Sequence, residues 1–222
     1  MNSLATATIA EDILERRAAI DTQPSIFADI YQPDVNIVIW QRQLADTLCA
    51  AVDNLINTKQ LKPVEIAVTP ENTYDELTGI LGDSEAASIL SQDIALQVDM
   101  FCCLFDLKRA GLRLTMLDKA MCPRFHVDKI PCRLVSTYQG VATEWLALEH
   151  VDRTKLGAGN NGLKDEDSGL FDKSEHIQQL TQGDVALLKG ENWQDTEGAG
   201  LVHRSPAVKN NTQRVLLTLD FM

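Results

Sequence analysis

Three residues in the second half of the chain carry donor types that hold a divalent transition metal. His126 and Asp128 stand in the run His126-Val127-Asp128, and His203 lies 75 residues beyond Asp128. In extended backbone, positions i and i+2 project to the same side, so His126 and Asp128 point together while Val127 points away. Two imidazoles and one carboxylate make a face that suits non-haem Fe(II) and leaves the remaining metal positions open for substrates and oxygen. A bare His-x-Asp is common, and an exposed pair or a hydrogen-bonded core histidine fits it equally.

The residues downstream strengthen the metal reading. A Gly183-Asp184 turn leads into the apolar run Val185-Ala186-Leu187-Leu188. A glycine-containing loop then precedes Leu201-Val202-His203-Arg204-Ser205-Pro206, and Arg214-Val215-Leu216-Leu217-Thr218-Leu219-Asp220-Phe221 closes the series. As a strand, this last segment places Arg214, Leu216, Thr218 and Asp220 on one side and an apolar set on the other. A guanidinium on the mixed face suits a cavity wall, where its fork grips a carboxylate; the alternative is a surface ion pair with Asp220 or Glu144. Tyr138, at the end of the strand after His-x-Asp, is placed to donate a hydrogen bond to a bound molecule, or is an ordinary half-buried aromatic.

A competing set lies in the same stretch. Cys122, His126, Asp128 and Cys132 occur together in CPRFHVDKIPC, and thiolate with imidazole is a zinc preference. This reading gives a zinc-binding or zinc-homeostasis module, or a metal-dependent cupin-like protein without oxygenase activity. Its spacing is not a common structural zinc pattern, and Pro123 and Pro131 restrict how the chain wraps an ion. A metal-free binding protein with structural His126 and His203 is a third reading. No Gly-x-Ser-x-Gly elbow supports a serine hydrolase, and GAGNNG lacks the Gly-Lys-Ser/Thr of a phosphate loop. His150 and His176 flank a polar stretch and read as solvent-facing.

The elements that would position these residues change character near Gly111. Before it, residues 11–20, 41–57, 74–81 and 83–110 read as helix, the last with Leu90, Ile94, Val98, Phe101 and Phe105 at three- and four-residue steps. Residues 35–40 and 64–68 read as short strands. After it, periodicity drops toward two, and residues 112–117, 132–138, 144–148, 184–188 and 214–221 read as strands separated by turn residues. The expected fold is α+β in a single domain over residues 1–222: a mainly helical portion at 1–111, packed on a jelly-roll or cupin-like barrel at 112–222. Residues 152–175, with GAGNNG and KDEDSG, read as a mobile loop at the barrel mouth. Residues 190–200, with Trp193, read as a loop supplying an apolar wall.

Lys and Arg number 20 against 32 Asp and Glu, a net charge of −12, which disfavours nucleic acid or an anionic membrane as partner. A small-molecule or protein substrate is expected. The first residues lack a basic leader and a long apolar core, and no later window approaches the roughly 20 apolar residues of a membrane span, so a soluble, cytoplasmic protein is expected. Five cysteines without paired spacing fit free thiols in a reducing compartment.

With its His-x-Asp, distal His203 and Arg214 about one strand later, the stretch from Leu112 to Phe221 resembles the Fe(II)/2-oxoglutarate-dependent oxygenase superfamily. That resemblance implies a double-stranded β-helix, with His126, Asp128 and His203 as iron ligands and Arg214 on the far carboxylate of 2-oxoglutarate. It places Thr143 where the superfamily often has a threonine, and Tyr138 beside the co-substrate. The implied reaction is hydroxylation of a C–H bond coupled to decarboxylation of the 2-oxo acid. The whole chain also resembles an uncharacterised bacterial family of unknown function, sometimes found near zinc-limitation genes.

Overall fold

Apolar stripes at helical spacing form helices, somewhat shorter than the stripes themselves. In the computed structural model, which describes residues 16–194, 198, 200–209 and 212–222, the helices are α1 (Asp46–Asn57), α2 (Thr73–Leu81) and α3 (Glu85–Phe105). Ser84 starts α3 by accepting a hydrogen bond from the Ala87 amide at 3.2 Å. Asp106, left-handed at φ 52°, ends it. Residues 107–110 are therefore not helical as expected; Ala110 already opens a strand. By length and composition α3 could cross a membrane, but it lays Leu90, Ile94, Val98 and Phe101 into the core.

Among the described residues ten strands occur in chain order: β1 (Arg17–Asp21), β2 (Val35–Trp40), β3 (Val64–Val68), β4 (Ala110–Leu117), β5 (Cys132–Gln139), β6 (Glu144–Leu146), β7 (Ile177–Gln179), β8 (Val185–Lys189), β9 (Val202–Arg204) and β10 (Arg214–Phe221). They build a seven-stranded sheet in the order β1-β2-β8-β5-β10-β4-β3 and a three-stranded sheet in the order β7-β6-β9. The expected helix at 11–20 lies outside the described residues up to 15, and from Arg17 it is a strand. Arg17-Ala18-Ala19 has helical propensity, but pairing parallel to β2, with Ala18 opposite Ile37 and Ile20 opposite Ile39, overrides it.

The front portion thus supplies strands as well as helices: β1 and β2 at one edge of the large sheet and β3 at the other. The helices cover one face, where Leu55, Leu77 and Ile94 meet Leu134, Leu187 and Leu217. The small sheet covers part of the other, where Trp145 and Leu201 meet Ile39, Val135 and Leu188. The strands between are buried on both faces and read as continuous apolar runs.

The polar stretch after β6 is held down rather than loose. It forms short 3-10 turns over its own apolar cluster of Phe125, Leu146, Leu170, Phe171 and Val202, with Val151 and Leu156 packed alongside. Most of its polar residues turn outward, Asp165 and Ser168 being buried, and its few apolar ones supply much of the anchor.

Candidate metal centre

The strand ends that carry the histidines are joined directly. The His126 amide donates to the His203 carbonyl and the His203 amide to the His126 carbonyl, each at 3.0 Å. This reciprocal pair brings the rings to a centroid separation of 4.6 Å. Asp128, two residues on, reaches both: its Oδ1 lies 3.5 Å from His126 Nε2 and its Oδ2 3.5 Å from His203 Nε2. One donor atom from each of the three residues falls within 4.8 Å of the others.

The second nitrogen of each ring fixes its tautomer. His126 Nδ1 contacts the Arg124 carbonyl at 2.9 Å and His203 Nδ1 the Leu201 carbonyl at 3.2 Å. A carbonyl only accepts, so Nδ1 carries the proton; Nε2 holds a lone pair in the neutral ring and, when the ring is protonated, donates to Asp128. Burial pushes the His203 imidazole down to about 4, keeping it neutral. Burial opposes the charge on Asp128 as well, but the hydrogen bond from His126 and the charge of Arg133 prevail and hold its carboxyl at about 2. The hydrogen bond to Asp128 raises His126. Two neutral-capable imidazoles and an ionised carboxylate converging on one point form a donor set for a divalent metal.

Beside this face a pocket runs inward between the sheets, lined among others by His126, His203, Thr143, Ser205, Arg133, Arg204 and Arg214. Its arginines differ in what neutralises them. Arg204 donates to Glu144 at 2.6 Å and Glu166 at 2.9 Å. Arg133 donates to Asp128 at 2.7 Å and to both oxygens of Asp220 at 2.7 and 2.8 Å. Arg214, 1% exposed, hydrogen-bonds only to hydroxyls among the described residues: Nη1 donates to Ser205 Oγ at 2.7 Å and Nη2 to Thr143 Oγ1 at 2.8 Å. Its Nε is buried without a partner. Burial without a contacting carboxylate pushes its pKa down to about 10. The surface ion pair with Asp220 or Glu144 is therefore not formed.

The site also rests on a residue that carries no local signal in the sequence. Asp165, 4% exposed, accepts from the Phe125 amide at 2.8 Å, from Arg124 at 3.0 Å and from Arg204 at 3.5 Å. It thus ties the polar loop to the chain beside both histidines. The Arg204 guanidinium lies 4.3 Å over the Phe125 ring, closing the same knot.

Three expectations are corrected. Tyr138 is fully buried on the opposite face of β5, toward α3, where its hydroxyl donates to Asp93 at 2.6 Å and accepts from Gln97 at 2.7 Å. It shares strand parity with Leu134, whereas Arg133 and Val135 face the pocket. Cys132 has the same parity as Tyr138 and sits wholly inside the core, its thiol pushed up by burial. Cys122 is exposed, so the two cysteines do not join His126 and Asp128 in a zinc set. Trp193 packs against Tyr31 and Phe105 on the helical side and makes no wall here. His150 and His176 stack on each other, with ring centroids 3.7 Å apart.

The family model described as "Protein of unknown function (DUF1826)" matches residues 21–220. None of the curated proteins matches the chain. Among solved structures it is similar to a dioxygenase for auxin oxidation in rice, at 12% identity over 94% of this chain and 83% of that one, with a TM-score of 0.55. It is also similar to JOX2 in complex with 2OG, Fe and JA, at 10% identity over 93% of this chain and 76% of that one, TM-score 0.48. A Pseudomonas putida prolyl-4-hydroxylase is similar at 11% identity over 89% of this chain and 92% of that one, TM-score 0.44. At such identities the likeness to the rice enzyme is one of fold, and that fold is the dioxygenase jelly roll.

Proposed function

The chain belongs to the DUF1826 family, and we propose that it is a non-haem Fe(II)- and 2-oxoglutarate-dependent oxygenase that hydroxylates a small molecule or a protein side chain. In this reading His126, Asp128 and His203 hold the metal. Arg214 binds the far carboxylate of 2-oxoglutarate with Thr143 and Ser205 beside it. The observation that carries the reading is the condition of Arg214. A guanidinium buried to 1% exposure, with no carboxylate in contact and one N–H unpaired, is costly unless an anion completes it. It lines the same pocket as His126 and His203. A dicarboxylate with a 2-oxo acid at one end and a carboxylate at the other fits both ends of that pocket chemically.

When bound, the metal and 2-oxo acid supply oxidising power from dioxygen. The protein's own residues place and protect that chemistry. The Nδ1 contacts of His126 and His203 orient both rings. Arg133 keeps Asp128 ionised and in position. The apolar residues Val135 and Leu216 line the pocket between the charged groups and limit water.

The test is anaerobic titration of metal-free protein with Fe(II) and then 2-oxoglutarate, monitored by visible absorption. The expected result is a charge-transfer band that needs both additions, is absent in His126→Ala, and demands far more co-substrate in Arg214→Ala. No band in the unaltered protein at saturating additions would overturn the reading.

A further inference from the structure

Arg133 stands at the junction of two carboxylates. It lies on β5 directly opposite Asp220 of β10 in the sheet register. Its Nε and Nη2 donate to Asp220 Oδ1 and Oδ2 at 2.7 and 2.8 Å, while Nη1 donates to Asp128 Oδ2 at 2.7 Å. A guanidinium is a rigid planar fork. Once two of its donors are spent on Asp220, the direction of Nη1 is fixed by the central strands of the large sheet. Asp128 lies on the irregular segment between β4 and β5, where its carbonyl accepts from the Glu191 amide at 2.9 Å, while its carboxylate takes its donor from Arg133.

Accordingly, we propose that Arg133 is a positioning residue that restricts Asp128 to one-oxygen coordination of the metal, with Asp220 acting through it as the anchor. The inference rests on the metal reading of the site. The donor from Arg133 occupies one carboxylate oxygen and prevents the group from rotating to chelate with both. Oδ1, on the His126 side, remains the oxygen without a donor from the sheet. A carboxylate free to chelate would occupy a further metal position, one that a two-point co-substrate and dioxygen need. The histidines are placed by backbone rungs and carbonyls, whereas the carboxylate is placed by this arginine.

A purely structural ion pair would affect stability and leave the metal's surroundings unchanged, so the decisive readout is the coordination sphere. Metal-free protein is titrated with Co(II), whose visible d–d bands report ligand number and type, alongside Arg133→Lys, Asp220→Asn and a His126→Ala control. Lysine keeps the charge and loses the fork; asparagine keeps the shape of the anchor and weakens its grip. Thermal melts establish that each variant is folded. The expected outcome is displaced bands in both variants and Co(II) binding weakened by about 10- to 100-fold in Arg133→Lys, with a smaller change in the same direction in Asp220→Asn. Bands and affinity unchanged in both variants, with binding that still needs His126, would overturn the role of Arg133 alone. No Co(II) binding by the unaltered protein would overturn the metal reading and this inference with it.

Discussion

Replacing Arg214 by methionine should separate the stability of the protein from its co-substrate binding. Methionine fills much of the same volume without charge. In the absence of ligand, burial displaces the Arg214 pKa from 12.5 to about 10, which amounts to roughly 3 kcal/mol against the charged form. Two hydrogen bonds from the charged guanidinium to hydroxyls, about 1.5 kcal/mol each at the low end of the range, offset roughly all of that. The ligand-free Arg214→Met protein should therefore unfold within about 1 kcal/mol of the unaltered one, in contrast to the 3–5 kcal/mol typical when one partner of a buried ion pair is removed. Ligand binding should respond in the opposite way. Two charge-assisted bonds to a carboxylate contribute about 1.5–3 kcal/mol each, so 2-oxoglutarate affinity should fall a hundredfold or more. At 2-oxoglutarate near 100 times its Kd, the unaltered protein gains about 2.7 kcal/mol. For a chain of this size that is a rise in Tm of about 5–10 °C. The variant at the same concentration should gain no more than about 2 °C. The assay is thermal unfolding of metal-loaded, oxygen-free protein with and without 2-oxoglutarate. A variant that loses 3 kcal/mol or more without ligand yet keeps the full ligand-induced rise would refute the clamp and make Arg214 a structural residue.

Removal of the Asp165 carboxylate in Asp165→Ala leaves Phe125 N, Arg124 and Arg204 without it. It should cost about 1–3 kcal/mol in urea unfolding and weaken Co(II) binding; unchanged stability would show that the loop is not anchored there. Tyr138→Phe should destabilise by about 1–3 kcal/mol, because Asp93 and Gln97 lose their shared partner, while 2-oxoglutarate titration stays the same; a weakened titration would return Tyr138 to the pocket. The Asp93 carboxyl, half-sheltered and bonded by Arg42, Tyr138 and Gln97, sits below its ordinary value even though burial acts to raise it. A depressed folded-state pKa gives stability that is present above about pH 4 and lost as pH falls below it. The stability difference between the unaltered protein and Asp93→Asn should accordingly shrink as pH falls below about 4; a difference independent of pH would assign the effect to shape alone.

What the sequence revealed of this site depended on how local the determining forces were. The bounds of β10 and the face assigned to Arg214 were readable, because one side of Arg214–Phe221 alternates cleanly between apolar and mixed residues. The convergence of His126 and Asp128 was readable for the same reason: they are two apart, and extended backbone aligns them. Tyr138 was not. Residues on both faces of β5 are buried, one under helices and one in the pocket, so alternation does not say which side is which. β1 was hidden because Arg17-Ala18-Ala19 favours helix until β2 offers it a partner. Asp165 and Arg133 act through contacts 40 and 87 residues away along the chain, and nothing in their neighbours announces that. A charged residue within the apolar run Cys132-Arg133-Leu134-Val135 was the one available hint for Arg133.

The place of β10 in the large sheet bears on how the protein is made. β10 lies between β5 and β4, yet it is synthesised after every other strand of that sheet. Until it emerges from the ribosome, the nascent sheet exists as two separate pieces, β1-β2-β8-β5 and β4-β3, each with an open edge of unpaired backbone groups. Closing that gap joins the two halves and delivers Arg214 to the pocket in the same step. A chain halted before Arg214 would therefore lack more than an arginine. It would carry two exposed β-edges prone to pairing with neighbouring chains, and its fate would be aggregation or proteolysis rather than a folded protein with a weakened site.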